Sequence, residues 1–329
     1  MSERRLFLGL TAAGVLAVAA ACLIGPVPIP GERLLAALFG GGEVGDRIVL
    51  WEIRLPRALA ATLVGAALGA SGAALQGLLR NPLAEPGVLG VSASAALGAT
   101  FVMYFGFAGA GPWVVPAAAF LGALAATAVI ALAAVRTASM VTLILVGVGL
   151  SSFAGALIAL LTNLAPTPFS LSEMVQWMLG SVANRSFDDL FAAAPFLAAG
   201  LAVLFGSRRG LAVLTLGEEA AAGAGLDLRR QRLLVVLGAG LATGAAVALA
   251  GVIGFVGIVA PHLMRPLVAH DPARSLLPSA LFAGFVLTVA DTAARIAPTT
   301  TELKLGVVAA LLGAPVFVWI AVRRRVTHG

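Results

Sequence analysis

Few side chains in this 329-residue sequence are of a type that could do chemistry, and their spacing excludes most reactions. The only lysine, Lys304, stands between Leu303 and Leu305. A Walker A loop needs Gly-Lys followed by Ser or Thr, so the chain carries no P-loop of its own. The three histidines, His262, His270 and His328, have no second His or Cys at ligand spacing, so no metal site follows. His262, beside Pro261, reads as a packing residue. One cysteine, Cys22, excludes an intrachain disulfide. There is no GxSxG, no HExxH, and no pair of carboxylates at catalytic spacing on one expected helix face. An ion-coupled carrier needs acids deep in its spans. Asp291 is the one candidate, near a helix end with Arg295 four residues on, and Glu85 lies in the broken segment NPLAEPG. What remains is a set of arginines, among them Arg54, Arg57 and Arg295. Their chemistry is either pairing with nearby acids or recognition of an acidic partner surface.

The elements that must position these arginines are membrane helices. The chain is 60% hydrophobic and 11% charged, with a mean hydropathy of +1.04. Repeated apolar runs of about 20 residues make it a polytopic all-α membrane protein, a single transmembrane domain over residues 1–329. A pI near 11.1 is no sign of nucleic-acid binding, because the arginines sit at the ends of apolar runs and form no basic stripe. Ten spans are expected, at about 6–26, 58–79, 88–107, 113–135, 141–162, 188–206, 232–250, 254–270, 275–296 and 303–322. The start, MSERRLFLGL, looks like a signal peptide but reads as a retained first helix, since further spans follow. With both termini cytoplasmic, 14 of the 21 basic residues lie inside, which sets the orientation. The tail Arg323 to Arg325 then reads as a stop-transfer anchor. Seven basic residues stay outside: Arg33, Arg47, Arg54, Arg57, Arg185, Arg295 and Lys304.

Small residues recur at helical spacing. Gly65, Gly69, Ala73 and Gly77 form one strip, Gly147, Ser151 and Gly155 a second, and Gly240, Gly244 and Ala248 a third. Such strips let membrane helices pack closely. After Arg80 the prolines Pro82 and Pro86 disfavour helix, so the chain is expected to leave the membrane, bend twice and re-enter near Val88. Pro261 is expected to kink the eighth span. Outer loops are expected at 27–57 and 163–187. The second contains a short interfacial helix on which Met174, Trp177 and Met178 share a face, with Trp177 at headgroup level. An inner loop at 207–231 carries a short helix begun by Glu218 and Glu219 and ended by Gly225, a contact surface for a cytoplasmic partner.

The run RLPRALAATLVGAALGASGAALQGLLRNPLAEPGVLGVS closely resembles the signature of the FecCD-type permeases. LTLGEEAAAGAGLDL, GVIGFVGIVAPHLMRPLVAHDPARSLLPSALFAG, ADTAAR and LKLGVVAALLGAPVFVWI match in order, over about residues 45–322. The resemblance implies a ten-helix subunit of an ATP-binding-cassette importer for ferric siderophores, haem or cobalamin in the bacterial inner membrane. It implies a homodimer around a central path, embedded in membrane lipid. Two ABC ATPase subunits would bind on the cytoplasmic side and hold the ATP and magnesium, so this chain needs no cofactor of its own. A periplasmic substrate-binding protein would dock through Arg54, Arg57 and Arg295. The coupling segment to the ATPase would be Thr215 to Leu226, with Gly217, Glu218, Ala221 and Gly225 matching the motif and Glu219 and Ala220 to Gly223 carrying less weight. The cytoplasmic gate would involve Asn81, Leu83, Met140 and Val141. Two departures stand out: Met140 and Val141 where some relatives have small hydroxyl residues, and Lys304-Leu305 where a proline is usual. By analogy the solute would be an iron chelate, with cobalamin as the alternative and an ion-coupled secondary transporter as the reading from another class.

Overall fold

The computed structural model describes residues 3–137, 139–297 and 301–326, with residues 319–326 described by their backbone alone. The side chains of Arg323 to Arg325, and His328, lie outside the described residues. Among those described there is no strand. The helices are α1 (Glu3–Leu23), α2 (Gly31–Leu38), α3 (Val44–Leu78), α4 (Val91–Tyr104), α5 (Val114–Arg136), α6 (Met140–Asn163), α7 (Pro168–Met178), α8 (Phe187–Gly206), α9 (Arg208–Val213), α10 (Glu218–Gly223), α11 (Leu228–Ala250), α12 (Val256–Met264), α13 (Pro272–Ile296) and α14 (Leu305–Val326).

Seven of them, α1, α3, α5, α6, α8, α11 and α13, are long and apolar enough to cross a membrane. The other three expected spans coincide with shorter apolar helices: α4, α12 with its 3-10 extension Arg265–Val268, and α14. The end of the bundle carrying residues 24–57 is the one the charge rule expects outside, and it is called the outer end on that expectation.

The expected outer loop at 27–57 is corrected by the structure: most of it is helix. α2 fills its first half, and α3 begins at Val44 and runs unbroken for 35 residues. The reason lies at Pro56, which has no N–H for the carbonyl four residues back. A wider π turn over Val49–Arg54 absorbs that missing bond, and α-helix resumes at Leu55.

The most extensive seam lies between α3 and α13. A Cβ added to Gly65 would stand 2.4 Å from the Ala283 carbonyl oxygen, and one added to Gly69 would stand 2.3 Å from that of Ser279. The first strip therefore brings backbone against backbone, as its spacing predicts. The third strip packs α11 on α5, with Gly240 against Thr127 and Gly244 against Ala123. The second is corrected in part. Gly147 and Ser151 pack on residues 87–89, whereas Gly155 has nothing within 4 Å of an added Cβ.

The path of residues 79–90 is also corrected. The chain turns at Arg80, and the next helix does not start at a membrane surface. Its N-cap, Gly90, packs on Leu150, ten residues into α6 and so about 15 Å along that helix. That is half of a hydrocarbon core of about 30 Å. NPLAEPGVLG is thus a re-entrant stretch whose irregular backbone is covered by protein rather than lipid, the one setting in which such backbone is tolerated at depth. α12 starts in the same layer, its Gly257 carbonyl oxygen meeting Gly72 of α3. α7 is present as expected, but Met174 is fully buried and Trp177 packs against the main core cluster. The helix lies on the protein, so Trp177 is a packing residue here rather than a headgroup anchor.

Gly72→Ala would place a methyl group 1.8 Å from the Gly257 carbonyl oxygen. It is expected to destabilise the chain by at least about 1–3 kcal/mol, the range for overpacking. Gly14→Ala in α1, with nothing within 4 Å, is expected to be neutral or slightly stabilising. Thermal unfolding in detergent compares the two.

Candidate docking and coupling sites

Helix ends build the outer site. α3 brings Arg54 and Arg57, α13 brings Asp291 and Arg295 one turn apart, and the segment before α14 brings Glu302. The Arg57 fork grips Asp291 through Nε at 2.9 Å and Nη2 at 2.8 Å, and Arg57 also pairs with Glu302. Arg295 Nε lies 3.4 Å from the same Asp291, and its Nη2 donates to the Ala21 carbonyl at 3.1 Å. Arg54 donates to the carbonyls of Cys22, at 2.8 Å, and Leu23, at 3.0 Å, and also to Val27. The last carbonyls of α1 are thereby satisfied by an arginine, as C-terminal carbonyls favour.

The structure thus gathers the three arginines that the family resemblance assigns to docking. It also buries them. Arg54 is 2% exposed, and the Arg57 and Arg295 side chains are 9% and 4% exposed. Both readings of these arginines meet here: pairing with Asp291 accounts for two of them, and the one outward-facing member of the network is Glu302, whose side chain is 40% exposed. Sequence reasoning missed Glu302; its signal is that it is the single acid between Ile296 and Leu305. Of the other outer cations, Arg33 bonds Asp46 at 2.7 Å and also pairs with Glu43, while Arg47 is exposed.

At the opposite end, α10 is built as a protruding elbow. Gly217 enters it at φ +97° and Gly225 leaves it at φ +87°, backbone that a residue with a Cβ adopts only with strain. The exit is a Schellman motif, Leu226 N–H donating to Ala221 and Gly225 N–H to Ala222. Ala221 is fully buried against the main core, and Glu218 pairs with Arg232 of α11 at 3.0 Å. Arg232 also donates to the Thr137 carbonyl at 3.2 Å, which ties α10 to the C-terminal end of α5, just ahead of α6. Thr215 is exposed, its hydroxyl turned back to the Ala212 carbonyl. The motif positions Gly217, Glu218, Ala221, Gly225 and Leu226 therefore shape and anchor the elbow. Leu216, Glu219, Ala220, Gly223 and Ala224 are all exposed, among them residues given less weight from sequence.

The four gate residues do not act alike. Asn81 accepts from the Leu83 N–H at 2.9 Å and fixes the turn, leaving Leu83 exposed. Ser139 caps α6 through the Thr142 N–H. Met140 then packs on the cluster that includes Ala84, while Val141 is exposed.

Comparison with known proteins follows this geometry. A model of the FecCD transport family matches residues 12–323. The chain is 40% identical to the vitamin B12 import system permease protein BtuC of Klebsiella pneumoniae, over 90% of this chain and 86% of that one. It is 39% identical to the ABC transporter permease protein YvrB of Bacillus subtilis, over 91% of this chain and 87% of that one. It superposes on a solved inward-facing metal-chelate type ABC transporter with a TM-score of 0.84 and 30% identity, covering 97% and 99% of the two chains.

Asp291→Asn removes the carboxylate that Arg57 and Arg295 share, leaving buried Arg295 without its acid and Arg57 with Glu302 alone. It is expected to destabilise the chain by about 3 kcal/mol or more. Glu302→Gln, at a side chain 40% exposed, is expected to have less than about 1 kcal/mol of effect. Unfolding temperatures in detergent separate them.

Proposed function

The chain belongs to the FecCD transport family, and from that premise we propose that it is the homodimeric permease subunit of an inner-membrane importer for a metal chelate. Power comes from two separate ATPase subunits, and cargo is delivered by a periplasmic binding protein. The observation that carries this reading is the elbow around α10: a rigid, twice glycine-hinged projection with an apolar and small-residue face, tied by Glu218 to α11 and through Arg232 to the C-terminal end of α5. A force applied to that face reaches the end of α5 through Thr137, three positions before α6 begins at Met140. α6 is the spanning helix with the smallest share of its surface buried inside one copy, which suits a helix facing a second copy and the path between them. ATP-driven closure of the partner subunits then tilts α6 and the neighbouring re-entrant stretch, and the path changes the side to which it opens. The substrate undergoes no chemistry.

Docking proceeds by exchange. The carboxylate of Glu302 sits on Arg57 as a stand-in for an acid of the binding protein, and a partner carboxylate replaces it. Of the two cargo readings, a ferric chelate rests on analogy within the family. Cobalamin has the specific support of 40% identity to a vitamin B12 import permease over nine-tenths of the chain.

Purification of the tagged chain from native membranes is expected to bring down a P-loop ATPase at equal stoichiometry and a binding protein whose bound ligand names the cargo. A chain that purifies alone, with uptake that collapses when the proton gradient is dissipated, would overturn the reading. Glu302→Gln is expected to raise binding-protein affinity about tenfold, as one freed charge-assisted contact allows. An unchanged affinity would leave the arginines a purely structural cluster.

A further inference from the structure

Two outer cations, Arg185 and Lys304, take no part in the arginine cluster, yet both line one cavity of about 460 Å³. The cavity lies between α7, the adjoining ends of α4 and α5, and the turn before α8, and Glu173, Gln176 and Trp177 complete its wall. Arg185 reaches Asp189 only at 3.7 Å, beyond hydrogen-bond range. Its Nε is buried and, among the described residues, has no hydrogen-bond partner. A buried donor left unpaired costs free energy unless an acceptor arrives.

A second cavity, of about 330 Å³, shares Arg185 and Pro116 with the first. Asp189 lines it beside Arg185; its other walls are apolar, including Phe120, Phe196 and Ala245, and it follows the groove between α5, α8 and α11. All three are spanning helices, so the groove runs along the hydrocarbon layer. A polar chamber holding two cations and an acid therefore opens into an apolar channel at membrane depth. That sequence of polarity is the one a phospholipid presents.

We propose that the two cavities form one binding site for a phospholipid of the leaflet at the outer end, its phosphate held by Arg185 and Lys304 and one acyl chain lying in the α5–α8–α11 groove. Glu173 then faces the headgroup amine, so phosphatidylethanolamine is the preferred class. A soluble partner meets only the polar chamber; the apolar channel beneath it is reached only from lipid. The lipid fills the space behind α7 and braces that helix against α5.

The test uses the full chain in detergent, incubated with phosphatidylethanolamine carrying a photoreactive acyl chain and read by native mass spectrometry and peptide mapping. Wild type is expected to retain one lipid, with label on α8 near Ala193 and Phe196. The R185Q/K304Q double variant is expected to lose retention about tenfold, the loss that removal of a charge-assisted contact carries. A192W, at an exposed position lining the groove, is expected to abolish the acyl label without disturbing the fold. E173Q is expected to reduce the preference for phosphatidylethanolamine over phosphatidylglycerol. Unchanged retention in both R185Q/K304Q and A192W would overturn the proposal. So would full protection by glycerophosphoethanolamine combined with no effect of A192W, which would mark a headgroup-only site. If R185Q/K304Q weakens capture of the binding protein while lipid retention stays unchanged, the chamber is a protein-docking surface and the lipid site is refuted.

Discussion

Everything in this molecule depends on how closely α3 and α13 approach. In lipid no hydrophobic force draws apolar helices together, because the acyl chains are as apolar as leucine. Attraction must come from dispersion over short distances and from polar contacts. Gly65 and Gly69 remove the side chains that would hold the two backbones apart, and the carbonyls of Ala283 and Ser279 occupy the vacated space. Thr62 and Thr288 add a hydroxyl contact of 2.8 Å across the same seam. Once the seam is closed, Arg57 and Asp291 have no choice but to meet at its outer end. Their pairing across a sequence separation of 234 residues is a product of glycine spacing deeper in the membrane.

That dependence changes the meaning of the outer arginines. A cationic cluster meant only as a recognition patch would be exposed and hydrated. Here the guanidinium groups also close the carbonyl ends of α1 and neutralise a buried acid, so they hold three elements together while one carboxylate, Glu302, remains at the surface. This cluster is altered more safely from the Glu302 side than by reversing Arg57 or Arg295, since a reversed arginine there would leave Asp291 facing another negative charge in a dry setting.

The three short helices follow from the same constraint. α4 and α12 both begin in the bilayer interior, where a chain without helix would leave backbone groups unsatisfied. Tight contact with Gly147 on one side and Gly72 on the other supplies the cover. The consequence is uneven cover: α3, α11 and α13 are heavily buried, whereas α6 and α7 pack chiefly on α4 and, for α6, on residues 87–89.

Hydrophobic runs were enough to locate the seven long apolar helices and the cores of the three shorter ones, because such runs are encoded locally: about 20 apolar residues lie within one window. The elbow at α10 was legible for a similar reason. Gly217 and Gly225 mark backbone turns that depend on the residue itself. Depth and burial were not legible. Nothing in NPLAEPG says that it folds back into the bilayer rather than along its surface, since its cover comes from α6 and α3, far away in sequence. Nor does RLPR say that its arginines are buried, because Arg57 is met by Asp291 and Glu302 from the other end of the chain and Arg54 by the carbonyls that close α1. Arg185 and Lys304, 119 positions apart, had no stated relation in the sequence, and only the packing of α7 against α4 and α5 placed them in one chamber. Sequence marked which segments are apolar enough to enter a membrane; tertiary structure decided which charges face each other, because charge pairing acts through space and the chain's order does not record it.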